Sequence, residues 1–119
     1  MAEVHPFKGL RYNTRLVTDL ADILSPPFDT IPTDLQQALY RRNPYNMVRL
    51  EAGEQFDSDT TEDNRYTRAK NLLALWTKQN ILTQDSSPTF YLFRHGFTRL
   101  GRRHTRHGLI AVVRLEEYS

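Results

Sequence analysis

The sequence predicts an α+β fold, in which two main helices pack on a mixed or antiparallel sheet of four to five strands. Two observations carry this prediction. In two segments the apolar residues recur at three- and four-residue spacing, which indicates amphipathic helices. Near the C-terminus, two runs rich in aromatic and β-branched residues flank a short glycine-containing turn, which indicates a hairpin. The length of 119 residues fits a single domain over residues 1–119.

The first part of the chain favours extended structure. Residues 4–12 are predicted to form a short edge strand or an extended arm, because Pro6 lacks the N–H group that a central strand donates. Residues 21–24 are predicted to form a short buried strand, because Pro26 and Pro27 end any helix and favour extended backbone before them.

The first helix is predicted over residues 33–42. Thr33 and Gln36 have the spacing of a capping box, in which each side chain bonds the other residue's backbone N–H. The pair Asn43-Pro44 then ends the helix. Residues 45–50 are predicted to form a strand, because apolar side chains alternate along them.

A loop separates this strand from the second helix. Residues 51–61 are acidic and poor in aliphatic residues, so they predict an exposed, mobile loop. The second helix is predicted over residues 62–79, with Trp76 in its apolar stripe. Asn80 suits the left-handed residue that follows a helix, and Ile81 is expected to pack back against it.

The hairpin is predicted from strands at residues 90–98 and 103–115, with Gly101 in the turn that joins them. Residues 109–113 are apolar at every position. A strand that is apolar on both faces is typical of the centre of a sheet, so we expect these residues to be buried.

Several classes of function are excluded or disfavoured by composition. The chain has no cysteine, which removes disulfides, thiolate metal sites and cysteine nucleophiles. It shows no secretory signal, and its longest strongly apolar run is too short to cross a bilayer, so we expect a cytoplasmic protein without a membrane partner. Glycine-rich phosphate loops and the nucleophile elbow are absent. His104 and His107 would point to opposite faces of a strand, so no metal site is predicted.

The charges are segregated along the chain. Residues 51–63 contain acidic residues and no Lys or Arg, whereas residues 94–114 contain arginines and histidines and no acid. The hairpin arginines are Arg94, Arg99, Arg102, Arg103 and Arg106. Arginines interleaved with aromatic rings are typical of nucleic-acid binding. The net charge of only +2 argues against it, since nucleic-acid-binding domains are usually strongly basic. The competing interpretation is a hairpin whose arginines are simply solvated.

A second candidate site surrounds the proline-rich bend. Its residues are Asp29, Asn43, Asn46 and Arg49. Arg49 has the fork geometry that binds a phosphate or a carboxylate, and Asp29 would orient a ligand hydroxyl or a cation. The alternative is structural, with Asp29 as a helix cap, the asparagines as turn residues and Arg49 as an exposed strand residue.

Five blocks of sequence, in order, resemble the N-terminal part of an uncharacterised prokaryotic family, the domain-of-unknown-function family 1015. They are Pro6-Phe7-Lys8-Gly9-Leu10-Arg11-Tyr12, Ser25-Pro26-Pro27-Phe28-Asp29-Thr30-Ile31, Asn43-Pro44-Tyr45-Asn46 with Val48-Arg49-Leu50, Asp63-Asn64-Arg65-Tyr66 with Ala69, and Gly108 with Ile110-Ala111-Val112-Val113-Arg114-Leu115. Family members usually have Tyr where this chain has Phe28, so no role for that hydroxyl carries over. The family has no settled activity, so the resemblance implies neither an enzyme class nor a cofactor.

The resemblance also implies that the chain is an N-terminal fragment whose partner is the C-terminal portion of its own longer protein. A weaker likeness connects the family with ParB-and-sulfiredoxin-type domains, some of which bind nucleotides or phosphorylate serine. Three functions therefore stay open: a nucleotide- or phosphate-ligand site, a nucleic-acid-binding module, and a non-catalytic interaction or scaffold domain.

Overall fold

The computed structural model describes residues 1–117. These residues form two compact units. Tyr12–Thr83 form the first, which we call the helical unit. Met1–Arg11 together with residues 84–117 form the second, which we call the hairpin unit. None of the helices in the described residues combines the length and the apolarity needed to cross a bilayer.

Strands lie at both ends of the described chain, and the helices lie between them. In order they are β1 (Val4–His5), β2 (Leu10–Tyr12), two single-turn 3₁₀ helices (Leu20–Asp22 and Phe28–Thr30), α1 (Thr33–Arg42), α2 (Val48–Glu51), α3 (Arg65–Lys78), β3 (Leu82–Gln84), β4 (Tyr91–Arg99), β5 (Arg102–Ile110) and β6 (Val112–Val113). The predicted α+β class is confirmed. The strands pair in several small antiparallel sheets instead of one sheet of four to five strands.

The core of the helical unit is built around Trp76, which is 2 % exposed. Val17, Ile23 and Ile81 are buried beside it. Tyr45 meets the indole edge-on, with the ring centroids 5.7 Å apart. Burying a large aromatic side chain among aliphatic ones stabilises the fold by about 1.5–3 kcal/mol, so this cluster anchors the elements that carry the site described below.

The second helix is confirmed, with its start three residues later than predicted. Asn64 is the N-cap of α3, and its Oδ1 accepts hydrogen bonds from the N–H groups of Tyr66 and Thr67 at 2.9 and 3.2 Å. Thr67 Oγ1 accepts from the Asn64 N–H at 2.9 Å, which completes a capping box. At the other end Asn80 has the expected left-handed backbone, with φ 61°, and Ile81 donates its N–H to Trp76 O.

The first helix is confirmed over Thr33–Arg42, but its predicted capping box is wrong. Pro32 occupies the N-cap position and makes no side-chain cap. The Gln36 side chain instead donates a 2.7 Å hydrogen bond to Ala52 O, so it fixes the chain that follows α2.

Two predicted strands are wrong. In place of the strand at residues 21–24 there is a 3₁₀ helix, because Asp19 Oδ1 accepts from the Ala21 N–H and caps it. In place of the strand at residues 45–50 there is a turn followed by α2. The side chains of Asn43 and Asn46 accept hydrogen bonds from the backbone N–H two residues later, at 2.8 and 2.9 Å, and this local bonding competes with a strand.

The predicted hairpin is confirmed as β4 and β5, which pair from Tyr91 with Ile110 to Arg99 with Arg102. Leu100 and Gly101 both have positive φ, 50° and 72°, as the tight turn between right-twisted strands requires. The expectation that residues 109–113 are central and buried is wrong. Ile110 and Val112 are each 48 % exposed, and within the described residues β5 pairs with β4 and no other strand.

Candidate functional site

Three adjoining clefts in the helical unit share two residues, Gly53 and Arg65. Their volumes are about 220, 240 and 350 Å³. We name the first the Arg49 cleft, and its lining residues are Tyr40, Arg49, Gly53, Glu54, Phe56, Arg65, Arg68 and Leu72. The second contains Phe28, Glu51 and Tyr66, and the third contains Phe28, Thr33 and Gln36.

Arg49 reaches the cleft from α2. Its guanidinium lies over the ring of Tyr40, with Cζ 4.3 Å from the ring centroid. Its Nη2 donates a 2.9 Å hydrogen bond to Tyr40 O. Its Nε is buried and has no hydrogen-bond acceptor among residues 1–117. The tyrosine therefore orients the guanidinium, and this contact uses one of its five N–H donors.

Arg65 repeats this arrangement from the first residue of α3. Its guanidinium lies over the Tyr66 ring at 4.8 Å, and Nη2 donates to Tyr66 Oη at 2.7 Å. Its Nε is also buried, without an acceptor in the described part of the chain. Among residues 1–117, no carboxylate forms an ion pair with Arg49 or Arg65. Two partly buried cations thus border one cleft without a neutralising partner.

Arg68, on the same cleft, is neutralised by the chain itself. Its Nη1 lies 2.8 Å from Asp59 and 3.1 Å from Asp63, and its Nη2 donates to Glu54 O at 2.8 Å. The hydrogen bonds that Arg68 donates to Asp59 hold the pKa of Asp59 below its ordinary value. The acidic segment that was predicted to be a mobile loop is therefore bonded to α3, and Arg68 is occupied.

The structure places the four predicted ligand residues in different settings. Asn46 is fully buried, and its Nδ2 donates to Asp22 O and Leu24 O at 2.8 and 3.0 Å. Together with the bond to Val48 N–H, this uses the whole side-chain amide for shaping the backbone. Asn43 likewise accepts from a backbone N–H.

Arg49 is the member of the predicted set that borders a cleft. Asp29 is exposed in the 3₁₀ helix Phe28–Thr30, next to Phe28, which lines the second and third clefts. Since these clefts share Gly53 and Arg65 with the Arg49 cleft, the proline-rich bend and Arg49 border adjoining cavities.

Arg65, Tyr40 and Gly53 were missed by sequence reasoning. Arg65 belongs to the block Asp63-Asn64-Arg65-Tyr66 that carried the family resemblance, so its signal was present in the sequence. Sequence reasoning did not single it out, because periodicity separates apolar from charged residues and does not show which charged residues border a cavity.

The hairpin arginines divide between two faces. The register places Arg99, Arg102 and Arg106 on one face of the β4–β5 ladder and Arg94 and Arg103 on the other, all of them exposed. His104 and His107 also lie on opposite faces, as their spacing predicted. No cluster of three or more His, Asp or Glu side chains suited to a metal ion occurs within residues 1–117.

The described residues thus define an α+β protein whose helices surround an arginine-lined cleft. A model of the family described as "Protein of unknown function (DUF1015)" matches residues 4–119, and the chain belongs to that family. Comparisons with curated proteins and with solved structures gave no match. The family match does not extend to the ParB-and-sulfiredoxin-type domains, and that likeness stays a prediction.

Proposed function

We propose that the chain binds a phosphate-bearing small molecule, such as a nucleotide or a phosphorylated metabolite, in the Arg49 cleft. Arg49 and Arg65 bind the phosphate in this proposal. The observation that carries it is that two partly buried guanidinium groups border one cleft, each with a buried Nε that lacks an acceptor and neither with a carboxylate partner in the described residues.

The energetics favour an anion between them. Burying a charge is costly unless it is paired, and a buried donor without an acceptor costs about 1–3 kcal/mol. A phosphate supplies several acceptor oxygens and matches the planar fork of arginine. Tyr40 and Tyr66 stack on the two guanidinium groups and restrict their orientation, so less side-chain entropy is lost when the ligand binds.

Glu54 narrows the class of ligand. It lines the same cleft, and its carboxylate accepts hydrogen bonds and cannot donate them. A ligand that combines a phosphate with hydroxyl groups satisfies both, with the phosphate on the arginines and a hydroxyl on Glu54. A bare phosphate would satisfy the arginines alone.

The other predicted residues act differently in this proposal. Asn43 and Asn46 position α2, and therefore Arg49, through their backbone hydrogen bonds. Asp29 stays a predicted ligand for a hydroxyl or a cation at the neighbouring cleft. An oxygen of Glu51 accepts from Ser25 at 3.4 Å, and this contact joins the bend to α2 beside the same cavities.

A thermal-shift panel tests the proposal. Inorganic phosphate, pyrophosphate, nucleotides and phosphorylated sugars are each added to the purified chain, and the change in Tm is recorded against sulfate and chloride. A ligand at ten times its Kd should raise Tm by roughly 5 °C. Arg49→Gln and Arg65→Gln should each abolish the rise, measured against the variant's own ligand-free Tm so that altered stability does not mimic lost binding.

Two further variants sharpen the result. Arg49→Lys keeps the charge and loses the fork, so calorimetric titration should give a Kd at least tenfold higher. Arg15→Gln removes the same charge from an exposed turn of the same unit and should leave the Kd unchanged. If no ligand in the panel changes Tm, or if Arg15→Gln and Arg49→Gln lose ligand binding equally, the proposal is contradicted. Such a result would favour an interaction domain that acts with the remainder of its own protein.

A further inference from the structure

The β4–β5 ladder carries a second surface, in the hairpin unit, that the proposed phosphate cleft does not use. The register brings rings and guanidinium groups together on one face of the ladder near its turn. The residues are His95, Phe97, Arg99, Arg102, His104 and Arg106. We call them the aromatic–arginine face, and all six are exposed.

The rings of this face are in contact with one another. Phe97 and His104 are partners across the ladder and stack with their planes 20° apart and their centroids 5.3 Å apart. His95 lies beside Phe97 on the same strand, with the centroids 5.7 Å apart. Phe97 is nevertheless 38 % exposed. The hairpin thus presents a continuous patch of ring surface to solvent.

The charge on this face has one sign. Arg106 lies opposite His95, and Arg99 lies opposite Arg102 at the turn end. Residues 91–115 contain no Asp or Glu, and none of the three arginines forms an ion pair with any described residue. An exposed strand pair with this charge complements a polyanion and repels a cationic partner.

We propose that the aromatic–arginine face binds single-stranded nucleic acid. Bases stack on the rings of Phe97 and His104, and Arg99, Arg102 and Arg106 contact the phosphates between them. Stacking surfaces bordered by arginines are the combination that binds single strands, because every base has a π face and every nucleotide a phosphate. A base-free polyanion would use the arginines and leave the rings in water.

The other face of the same ladder provides a matched control. Arg94 and Arg103 lie there, on the same two strands and also exposed, and their cross-strand partners are His107 and Thr98. Substituting Arg94 and Arg103 removes the same formal charge from the hairpin as substituting Arg102 and Arg106. A difference in nucleic-acid affinity between the two double variants therefore reflects the position of the arginines and not the net charge.

The test is fluorescence anisotropy with labelled oligo-dT and oligo-U of roughly ten nucleotides over a range of salt concentrations. Three phosphate contacts predict a slope of log K against log salt of about −2. Arg102→Gln with Arg106→Gln should bring the slope to about −0.7, whereas Arg94→Gln with Arg103→Gln should keep it near −2. Phe97→Leu should weaken binding roughly fivefold to hundredfold at every salt concentration.

Three comparisons complete the test. Blunt duplex DNA should bind more weakly than the oligonucleotides, because its bases are stacked inside the helix. Inorganic polyphosphate should also bind more weakly, because it has no bases. Equal binding by polyphosphate, an unchanged affinity in Phe97→Leu, or equal losses in the two double variants would overturn the proposal. Arg15→Gln, in the helical unit, should bind the oligonucleotides normally. The thermal-shift panel reports on the phosphate cleft separately, so failure of that cleft and failure of this surface are distinguishable. Amide protection of the ladder by hydrogen exchange verifies that each variant keeps the hairpin.

Discussion

The ring of Phe93 lies directly on Gly108, its partner across the β4–β5 ladder: a Cβ atom added at Gly108 would come within 2.1 Å of that ring. At Gly96, on the same strand as Phe93, an added Cβ would lie 3.4 Å from Nη2 of Arg103, the end of a flexible side chain. The hairpin therefore requires a glycine at one of these positions and tolerates a side chain at the other.

Gly108→Ala should destabilise the hairpin, because the methyl group displaces the Phe93 ring from its place over the strand. The expected cost is about 1–3 kcal/mol. The measurement is hydrogen exchange of the ladder amides, whose protection should fall. Gly96→Ala is the matched control and should leave the protection nearly unchanged. Equal loss in both variants would show that glycine matters there for backbone reasons and not for contact with the ring.

Asn46→Ala should strongly destabilise the helical unit. It leaves the carbonyls of Asp22 and Leu24 and the N–H of Val48 without their partner, and the expected cost is about 2–4 kcal/mol. Urea denaturation followed by Trp76 fluorescence measures it. Asn43→Ala removes one bond to a backbone N–H and should cost clearly less. Equal costs would contradict the assignment of Asn46 as the residue that holds the bend.

The Asp59–Arg68 pair should make stability depend on pH at the acidic end. The pKa of Asp59 is lowered, first by its hydrogen bonds from Arg68. A lowered carboxyl pKa stabilises the folded state above the unfolded value of about 3.9, and that contribution is lost as pH falls through the folded pKa. The difference in Tm between the native chain and Asp59→Asn should therefore be largest above pH 4 and shrink below it. Asp57→Asn, which removes an exposed carboxylate of the same segment, should leave the profile unchanged.

Tyr12 should produce the opposite dependence at the alkaline end. Burial, and then the charge of Glu51, raise the pKa of Tyr12 to about 12, while its Oη donates to Tyr45 O at 2.7 Å. Because the unfolded chain releases this proton more readily, stability falls as pH rises from about 10 to 12. The stability of the native chain relative to Tyr12→Phe should be constant below pH 10 and decrease above it. If the stability difference between the native chain and Tyr12→Phe stays constant up to about pH 12, the Tyr12 hydroxyl is exposed to water and the expectation is wrong.

Local signals in the sequence were sufficient for α1, α3 and the hairpin. The stripe that contains Trp76 identified α3, and Asn80 was identified as its left-handed end. Gly101 likewise marked the turn between β4 and β5. In each case the residues that decide the local structure lie within a few positions of one another, so periodicity and turn chemistry predict that structure.

The sequence singled out one of the residues that line the Arg49 cleft. Arg49 was identified because a guanidinium near a proline-rich bend suits an anion, and the structure adds Arg65, Tyr40 and Gly53 beside it. Asn46 was taken for a ligand, and its amide is instead bonded to backbone groups more than twenty positions earlier. Sequence spacing contains no information about such distant partners.

The sequence by itself determined the α+β class, the family, the position of α1 and α3 and the segregation of charge. Only the tertiary structure decided which charges are neutralised. Arg68 and Arg65 are three positions apart on one helix, yet Arg68 meets Asp59 and Asp63 whereas Arg65 meets no carboxylate in the described residues. Pairing depends on which segments are folded close together in space, and that is set by the packing of the whole unit and not by the residues themselves.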